Sequence, residues 1–253
     1  MNPVNPKKKL GQHFLNDENI AQKIVNGLQS TANVLEIGPG MGVLTKYLIP
    51  KCDQLKLIEI DHESVEYLSE AYPEFQANII QANFLKVNPT EIFSQEFSII
   101  GNFPYNISSQ IFFRVIENRE LVPELVGMIQ KEVAERLVSP PGNKTYGILS
   151  VILGAFYDME ILFLVSENVF TPPPKVKSAV IRLTRKENFE LDCDEKLFFS
   201  VIKTGFNQRR KTLRNSLKSL WVNKLDTDEY PIFKKRPEQL GVEEFVELTK
   251  ILS

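Results

Sequence analysis

Val34-Leu-Glu-Ile-Gly-Pro-Gly-Met-Gly42 sets the fold class, because an apolar run of strand type leads directly into a turn with three glycines. Glycines at such a turn let the backbone approach a ligand where a β-carbon would intrude, and the next helix points free N–H groups at that ligand. The spacing differs from G-x-G-x-x-G, and no P-loop lysine follows. We therefore expect a nucleoside ligand without phosphates rather than a dinucleotide or a nucleoside triphosphate.

Short apolar runs recur along the chain, with amphipathic segments between them. Five runs are typical of strands in βαβ units: residues 34–37, 55–60, 78–81, 97–100 and 125–129. Two more, residues 160–165 and 179–183, are joined by a proline-rich loop without room for a crossover helix, so we expect them to pair antiparallel. The pattern predicts an α/β fold with a mostly parallel seven-stranded sheet.

Helical patterns lie on both sides of these strands. Asn16 or Asp17 can cap a helix that carries apolar residues as far as Leu28. After Arg185 the strand pattern ends, and residues 194–220 and 238–252 carry apolar side chains at helical spacing. We assign residues 1–187 to a Rossmann-like domain with an N-terminal arm, and residues 188–253 to a small all-α domain.

Composition limits the class of protein. Apolar residues make up 43% of the 253 positions, enough for a sizeable core, and no run approaches the roughly 18 apolar residues of a membrane span. The two cysteines and two histidines have no ligand spacing, which predicts neither a disulfide framework nor a metal site. We expect a cytoplasmic monomer that binds no metal and no membrane.

Positive charge is concentrated in one part of the chain. The formal net charge is −2, but residues 171–220 contain 12 Lys and Arg against 5 acids, so this segment carries +7 and the remainder −9. Such an asymmetry is typical of a phosphate-binding surface. The candidate RNA-binding residues are Lys175, Lys177, Arg209, Arg210, Lys211 and Arg214. We expect the last four, together with Lys218, to form a stripe along one side of a helix.

Polar residues after the second and third strands are candidates for holding a nucleoside. Glu59 lies 21 residues after Gly38, where a carboxylate can accept hydrogen bonds from both ribose hydroxyls, and Asp61 is the alternative. Asn83 could hydrogen-bond an adenine, with Phe84 packed on the ring. A residue after a strand is also often only a turn former.

Gly101-Asn-Phe-Pro-Tyr105 has the groups needed to hold an adenine amine as an acceptor of a methyl group. The Asn102 side-chain oxygen and the Phe103 backbone carbonyl can each accept one amine hydrogen, and Pro104 fixes the chain without adding an N–H. Tyr105 can stack on an extruded base, and Phe170 could cover the other face. The alternatives are a strand-ending turn for the first segment and a core position for Phe170.

These segments together resemble the ribosomal RNA adenine dimethylases, a family of S-adenosyl-L-methionine-dependent methyltransferases with a Rossmann-like fold. The matching segments are Leu10-Gly-Gln-His-Phe-Leu15, Glu36-Ile-Gly-Pro-Gly40, Ile58-Glu-Ile-Asp61, Asn102-Phe-Pro-Tyr105, residues 170–178 and residues 206–215. The resemblance implies that the cofactor pocket is lined by His13, Leu15, Gly38, Gly40, Glu59, Asn83 and Asn102. It also implies dimethylation of the N6 amines of two adjacent adenosines near the 3′ end of 16S rRNA, in the small ribosomal subunit.

Two positions depart from the family pattern, since His13 stands where Asn is common and Asn83 where Asp is common. Two alternatives for the function stay open at this point. One is a resistance-type methylase of large-subunit rRNA, which shares the catalytic motifs. The other is a subunit assembly factor in which methylation is secondary.

Overall fold

The computed structural model describes residues 4–221 and 226–253. Residues 1–3 and 222–225, which belong to the two predicted domains, lie outside this description. The chain divides into two compact units. The first contains the residues up to Ala134 together with Met159–Arg185, and the second contains Glu135–Asp158 and the residues from Lys186 onward.

A seven-stranded sheet forms the first unit, and it confirms the predicted strands. Its strands are β2 (Asn33–Ile37), β3 (Gln54–Glu59), β4 (Ile79–Gln81), β5 (Ser98–Asn102), β6 (Glu124–Gln130), β7 (Tyr157–Val165) and β9 (Ser178–Arg185). Their order is β4-β3-β2-β5-β6-β9-β7. The first five pair in parallel, and β9 pairs antiparallel with β6, with Gln130 opposite Ser178. The fold is therefore Rossmann-like, with the carboxyl ends of the parallel strands at one edge.

Helices connect and cover these strands. They are α1 (Glu18–Val25), α2 (Thr45–Leu48), α3 (His62–Ala71), α4 (Ser108–Glu117) and α5 (Lys131–Leu137). Four of the five residues of β2 are buried, as a central parallel strand covered on both faces requires. The Asp17 side chain caps α1 by accepting from the Asn19 and Ile20 N–H groups, so Asp17 rather than Asn16 is the cap.

The N-terminal arm joins the first unit through a second, two-stranded sheet. In it, β1 (Phe14–Leu15) pairs antiparallel with β8 (Phe170–Thr171), and Leu15 lies opposite Phe170. Leu15 and Phe170 are both buried in a cluster of apolar residues that includes Ile24 and Leu44. The sequence patterns do not predict this pair, because two residues are too few to show any periodicity.

The second unit is helical. It contains α6 (Ile148–Phe156), α7 (Glu195–Asn207), α8 (Leu213–Ser216) and α9 (Val242–Leu252). The predicted boundary after residue 187 lies close to the start of the C-terminal part at Lys186, but the unit also includes Glu135–Asp158. The reason is that α6, apolar over nearly its whole length, packs against α7 and α9.

Among residues 4–221 and 226–253, no helix has both the length and the apolar character that a membrane crossing needs.

Candidate nucleoside and base site

A cavity of about 240 Å³ opens at the carboxyl ends of the parallel strands in the first unit. Four segments line it: the arm from Lys9 to Phe14, the glycine turn, the ends of β3 and β4, and the segment from Asn102 to Ile107. Open α/β sheets bind ligands at this edge. The structure thus brings together these predicted residues: His13, Gly38, Gly40, Glu59, Asn83, Asn102, Phe103, Pro104 and Tyr105.

The glycine turn and Glu59 form one wall of the cavity. Gly38 and Gly40 have φ angles of +67° and +56°, a region that favours glycine. The Glu59 carboxylate is buried and accepts hydrogen bonds from the N–H groups of Gly40, Ile60 and Asp61 at 2.8–3.1 Å. Burial raises the pKa of this carboxyl, although the three N–H donors oppose the shift. The donors fix the carboxylate against the turn and leave it accepting capacity for a ligand.

A second acid, Glu36, lies in a smaller cavity of about 30 Å³ that is also lined by Leu15 and Asn102. Thr45 donates to Glu36 Oε2 at 2.7 Å. Burial raises the pKa of the Glu36 carboxyl to about 8, and the nearby charge of Glu59 acts in the same direction. Leu15, which was predicted to line the cofactor pocket, lines only this smaller cavity and not the adjoining main one.

Asn83 has the turn-forming role that was the alternative for its position, and its side chain also lines the cavity. Its side-chain oxygen accepts from the Leu85 N–H at 3.0 Å, which closes a local turn after β4. Asn83 and the buried Phe84 both line the cavity. Among the described residues the Asn83 amide NH2 has no hydrogen-bond partner, so the group left for a ligand is a donor.

Asn102 has a defined amide orientation. Its Nδ2 donates to the backbone carbonyl of His13 at 2.9 Å. Because a carbonyl only accepts, the amide nitrogen must face His13, which leaves Oδ1 as the free acceptor. The arm thus sets the direction of the side chain that was predicted to hold an amine.

Tyr105 contacts the same arm. Its ring stacks on the His13 ring with centroids 5.4 Å apart and an angle of 26° between the planes. The Tyr105 hydroxyl lies 2.5 Å from Ser178 Oγ, and His13 Nδ1 lies 2.7 Å from the Pro172 carbonyl, to which it must donate. One face of the Tyr105 ring is therefore covered by His13.

Phe170 does not line the cavity, contrary to the prediction that it covers the base. Its side chain is 3% exposed and packs in the apolar cluster under β1. The pairing of β8 with β1 turns the ring into the core. The core position, left open as the alternative for Phe170, is the one observed.

The arm is also held at its beginning. Lys7 forms an ion pair with Asp61 and a second with Glu63 at 3.0 Å, and the Gln12 amide donates to Asp61 at 3.4 Å. Burial opposes ionisation of Asp61, but the hydrogen bonds from Lys7 and Gln12 keep the pKa of its carboxyl below the ordinary value. Asp61 therefore holds the arm, and Glu59 rather than Asp61 lines the cavity.

The predicted cationic stripe along a helix is wrong. Helix α7 ends at Asn207, and Arg209, Arg210 and Lys211 lie in the turn before α8. Local acids also pair with several cations of the basic segment: Arg182 with Glu160, Arg185 with Glu96, Arg209 with Glu238 and Arg214 with Asp228.

Four of the six candidate RNA-binding residues remain available to a polyanion. Lys175 and Lys177 are exposed in the loop before β9, and Arg210 and Lys211 are exposed in the turn after α7. Within the described ranges, the side chains of Lys175, Lys177 and Arg210 have no hydrogen bond or ion pair, and Lys211 donates only to Gln208.

Residues 4–249 match the family model described as ribosomal RNA adenine dimethylase. The chain belongs to this family. It is therefore an enzyme of the methyltransferase class, and its relatives match over nearly their whole length. One is the ribosomal RNA small subunit methyltransferase A of Flavobacterium johnsoniae, 60% identical, with 99% of this chain and 97% of the relative covered. The protein of the same name from Cytophaga hutchinsonii is 58% identical, with 100% and 99% covered.

Solved structures of this family's fold superpose on the chain. A dimethyladenosine transferase from Plasmodium falciparum is 25% identical, with a TM-score of 0.80 and coverage of 93% of this chain and 96% of that one. The 23S rRNA methyltransferase ErmE is 26% identical, with a TM-score of 0.68 and coverage of 94% and 99%. The family and the fold therefore agree with the resemblance noted from the motifs.

Sequence reasoning missed several residues of the site. Lys9 to Gln12 line the cavity because the arm folds over it, and Ile60, at 50% exposed, presents an apolar side chain there. The Leu10-Gly-Gln-His-Phe-Leu15 motif was the only signal for the arm. No periodicity in such a short segment could have placed it against Asn102.

Proposed function

We propose that this protein transfers methyl groups from S-adenosyl-L-methionine to the N6 amines of two adjacent adenosines near the 3′ end of 16S rRNA, in the small ribosomal subunit. The observation that carries the proposal is the orientation of Asn102. Its Nδ2 is engaged by the His13 carbonyl, so its Oδ1 is the acceptor left at the cavity. An acceptor without a competing donor is what an amine nucleophile needs.

The chain's own residues fit a nucleoside cofactor. The buried Glu59 carboxylate, fixed by three N–H donors, can accept from ribose hydroxyls, and the glycine turn beside it leaves room for the ligand backbone. The free NH2 of Asn83 can donate to a ring nitrogen of adenine, a role that differs from accepting its amine hydrogen. When bound, S-adenosyl-L-methionine supplies an electrophilic methyl group on a positively charged sulfur.

The residues of β5 and the following turn prepare the target amine. Asn102 Oδ1 and the Phe103 carbonyl each accept one hydrogen of the amine, which reduces delocalisation of the nitrogen lone pair into the ring. Pro104 adds no N–H that would compete for these acceptors. These acceptors would hold the nitrogen in line with the methyl carbon, so that the C–N bond forms as the carbon–sulfur bond breaks. The cationic nitrogen would then release its proton to solvent, so positioning provides most of the catalysis.

Tyr105 holds the base by stacking on the face that His13 does not cover. His13 braces the tyrosine ring from behind and is itself held by the Pro172 carbonyl. A stacking contact of this kind contributes roughly 1–3 kcal/mol per base. We infer that His13, which stands where the family commonly has Asn, supports the Tyr105 ring by stacking on it rather than binding the cofactor.

The exposed cations provide a separate, sequence-independent contribution. Lys175 and Lys177 in the first unit, and Arg210 and Lys211 in the second, are free to contact rRNA phosphates. Arg209 and Arg214 are paired with Glu238 and Asp228, so each must give up an acid to bind a phosphate. Of the six candidate RNA-binding residues, we therefore assign the main phosphate contacts to the four that have no acidic partner.

Tritiated methyl transfer to small subunits lacking the modification tests the proposal. We expect the wild type to incorporate label, and we expect the rate of incorporation to fall by roughly two orders of magnitude or more in Asn102→Ala. Asn168→Ala, at an exposed asparagine of the same unit, is the matched control and should behave as the wild type. Equal incorporation by Asn102→Ala and the control would reject the mechanism.

The same assay separates the two other candidates. Large subunits offered in place of small ones should accept no label, and labelling of large subunits alone would favour the resistance-type activity. Binding to immature small subunits by a wild type that transfers no methyl group would favour an assembly factor.

A further inference from the structure

Two glycines lie side by side beneath the proposed amine acceptors. Gly101 of β5 and Gly127 of β6 are partners in the parallel register, so the positions that their side chains would occupy lie on neighbouring strands. Glycine inside a strand weakens it and often marks a close approach of another group. Here that group is the ring of Phe103.

The Phe103 ring lies across both glycines. A β-carbon at Gly127 would be 2.3 Å from Phe103 Cε2 and 2.9 Å from Cδ2, and one at Gly101 would be 2.8 Å from Cε1. The two edges of the ring thus rest on two adjacent strands. The ring is 1% exposed, and the Phe103 N–H donates to the Met128 carbonyl at 3.1 Å.

We propose that Gly127 is a positioning residue for methyl transfer, a role that rests on the proposed function. Phe103 offers its backbone carbonyl to the target amine, and the direction of that carbonyl follows the placement of the Phe103 main chain. The placement requires the ring to lie flat against the sheet, and the missing side chain of Gly127 makes this possible. Gly127 therefore sets the geometry of the second acceptor without touching the substrate.

Gly127 is the better glycine for a test. At Gly101 a β-carbon would also meet the backbone carbonyl of Ile37 at 2.5 Å, so a substitution there disturbs β2 whatever stands at position 103. At Gly127 the three nearest atoms all belong to the Phe103 ring. A smaller side chain at position 103 should relieve the clash there.

The experiment compares Gly127→Ala, Phe103→Leu and the double variant in methyl transfer to unmodified small subunits. For Gly127→Ala we expect kcat to fall about 10- to 100-fold, because a displacement near 1 Å is enough for such a loss, while the affinity for S-adenosylhomocysteine stays as in the wild type. Leucine lacks Cε2 and Cζ, which are two of the ring atoms nearest Gly127, so the double variant should recover kcat relative to Gly127→Ala. Gly147→Ala, where the added carbon meets nothing closer than 3.9 Å, is the matched control.

Circular dichroism first establishes that each variant folds. The proposal is overturned if folded Gly127→Ala keeps the wild-type kcat, or if the double variant is unfolded or no more active than Gly127→Ala. A crystal structure of Gly127→Ala is expected to show a displaced Phe103 ring. An undisplaced ring also overturns the proposal. If the ring is displaced but the wild-type enzyme methylates a different substrate, only the proposed function is contradicted.

Discussion

The side-chain amide of Asn102 donates to the backbone carbonyl of His13, 89 residues earlier in the chain, at 2.9 Å. This hydrogen bond joins the N-terminal arm to the end of β5. It gives the amide one orientation, with the oxygen free. The arm therefore does more than cover the cavity, because it also determines which atom of the Asn102 amide is left without a hydrogen bond.

The arm's course past Gly11 can be disturbed without touching Asn102. Gly11 has a φ of +66°, and a β-carbon there would lie 2.7 Å from Asn106 Oδ1. We expect Gly11→Ala to lower methyl transfer about tenfold or more by shifting the His13 carbonyl. Gly142→Ala is the control, since Gly142 has a φ of +84° but open space around it, and the left-handed strain of roughly 1–2 kcal/mol is common to both. Equal activity of the two variants would show that the arm does not orient Asn102.

Glu36 makes stability depend on pH. Its pKa is about 8 in the folded protein against 4.5 for an unperturbed carboxyl, so the folded state binds more protons between these values. Its contribution is fully present below pH 4.5 and is lost as the pH rises through 8, with a slope of at most about 1.4 kcal/mol per pH unit.

Urea unfolding of the cofactor-free protein at about pH 5 and about pH 8.5, followed by circular dichroism, measures this effect. Glu36→Gln should lose less stability between the two pH values than the wild type. Glu91→Gln, at an exposed acid, should lose as much as the wild type. A pH dependence of Glu36→Gln identical to that of the wild type would mean that Glu36 ionises normally.

Substitutions of Phe170 distinguish a role in the apolar core from a role in stacking on the target adenine. Because the ring is buried against Leu15, Phe170→Ala should lower the free energy of unfolding by about 3–5 kcal/mol. Phe170→Leu keeps most of the apolar volume and should keep most of both stability and methyl transfer. If Phe170→Leu were stable and inactive, the ring would have to leave the core and stack on the base during the reaction.

The loop before β9 should contribute to RNA affinity through charge alone. Replacing Lys175 and Lys177 by Gln should weaken binding to small subunits, and the slope of log affinity against log salt should fall by about 1 for each lysine that binds a phosphate. Lys51→Gln, at an exposed lysine outside the basic segment, serves as control. A salt slope unchanged by the double substitution would remove this loop from the RNA interface.

The sequence predicted those parts of the fold and of the candidate site that a local pattern encodes. Alternating apolar runs predicted all seven strands, and the turn after β2 and the residues after β5 pointed to the edge where the cavity lies. Parallel strands end at one edge of the sheet, so segments distant in sequence could be placed together before any contact was known.

The remaining features depend on contacts that no local pattern encodes. Phe170 is buried beside Leu15 because their two-residue strands pair with each other. Helix α7 ends before Arg209, so the cations that follow lie in a turn rather than on a helix. Helix α6 is apolar on nearly every side, so its sequence does not indicate which neighbours it packs against. The sequence shows Gly127 only as a glycine inside a strand, and its proposed role depends on its contact with the Phe103 ring.

Mass-spectrometric mapping of 16S rRNA, after unmodified small subunits have reacted with the purified enzyme, is the decisive measurement for the role of Asn102. We predict N6,N6-dimethyladenosine at two adjacent positions near the 3′ end with the wild type, and neither modification with Asn102→Ala. Methylation at a different atom or on a different RNA, or dimethylation that persists in Asn102→Ala, would contradict this mechanism.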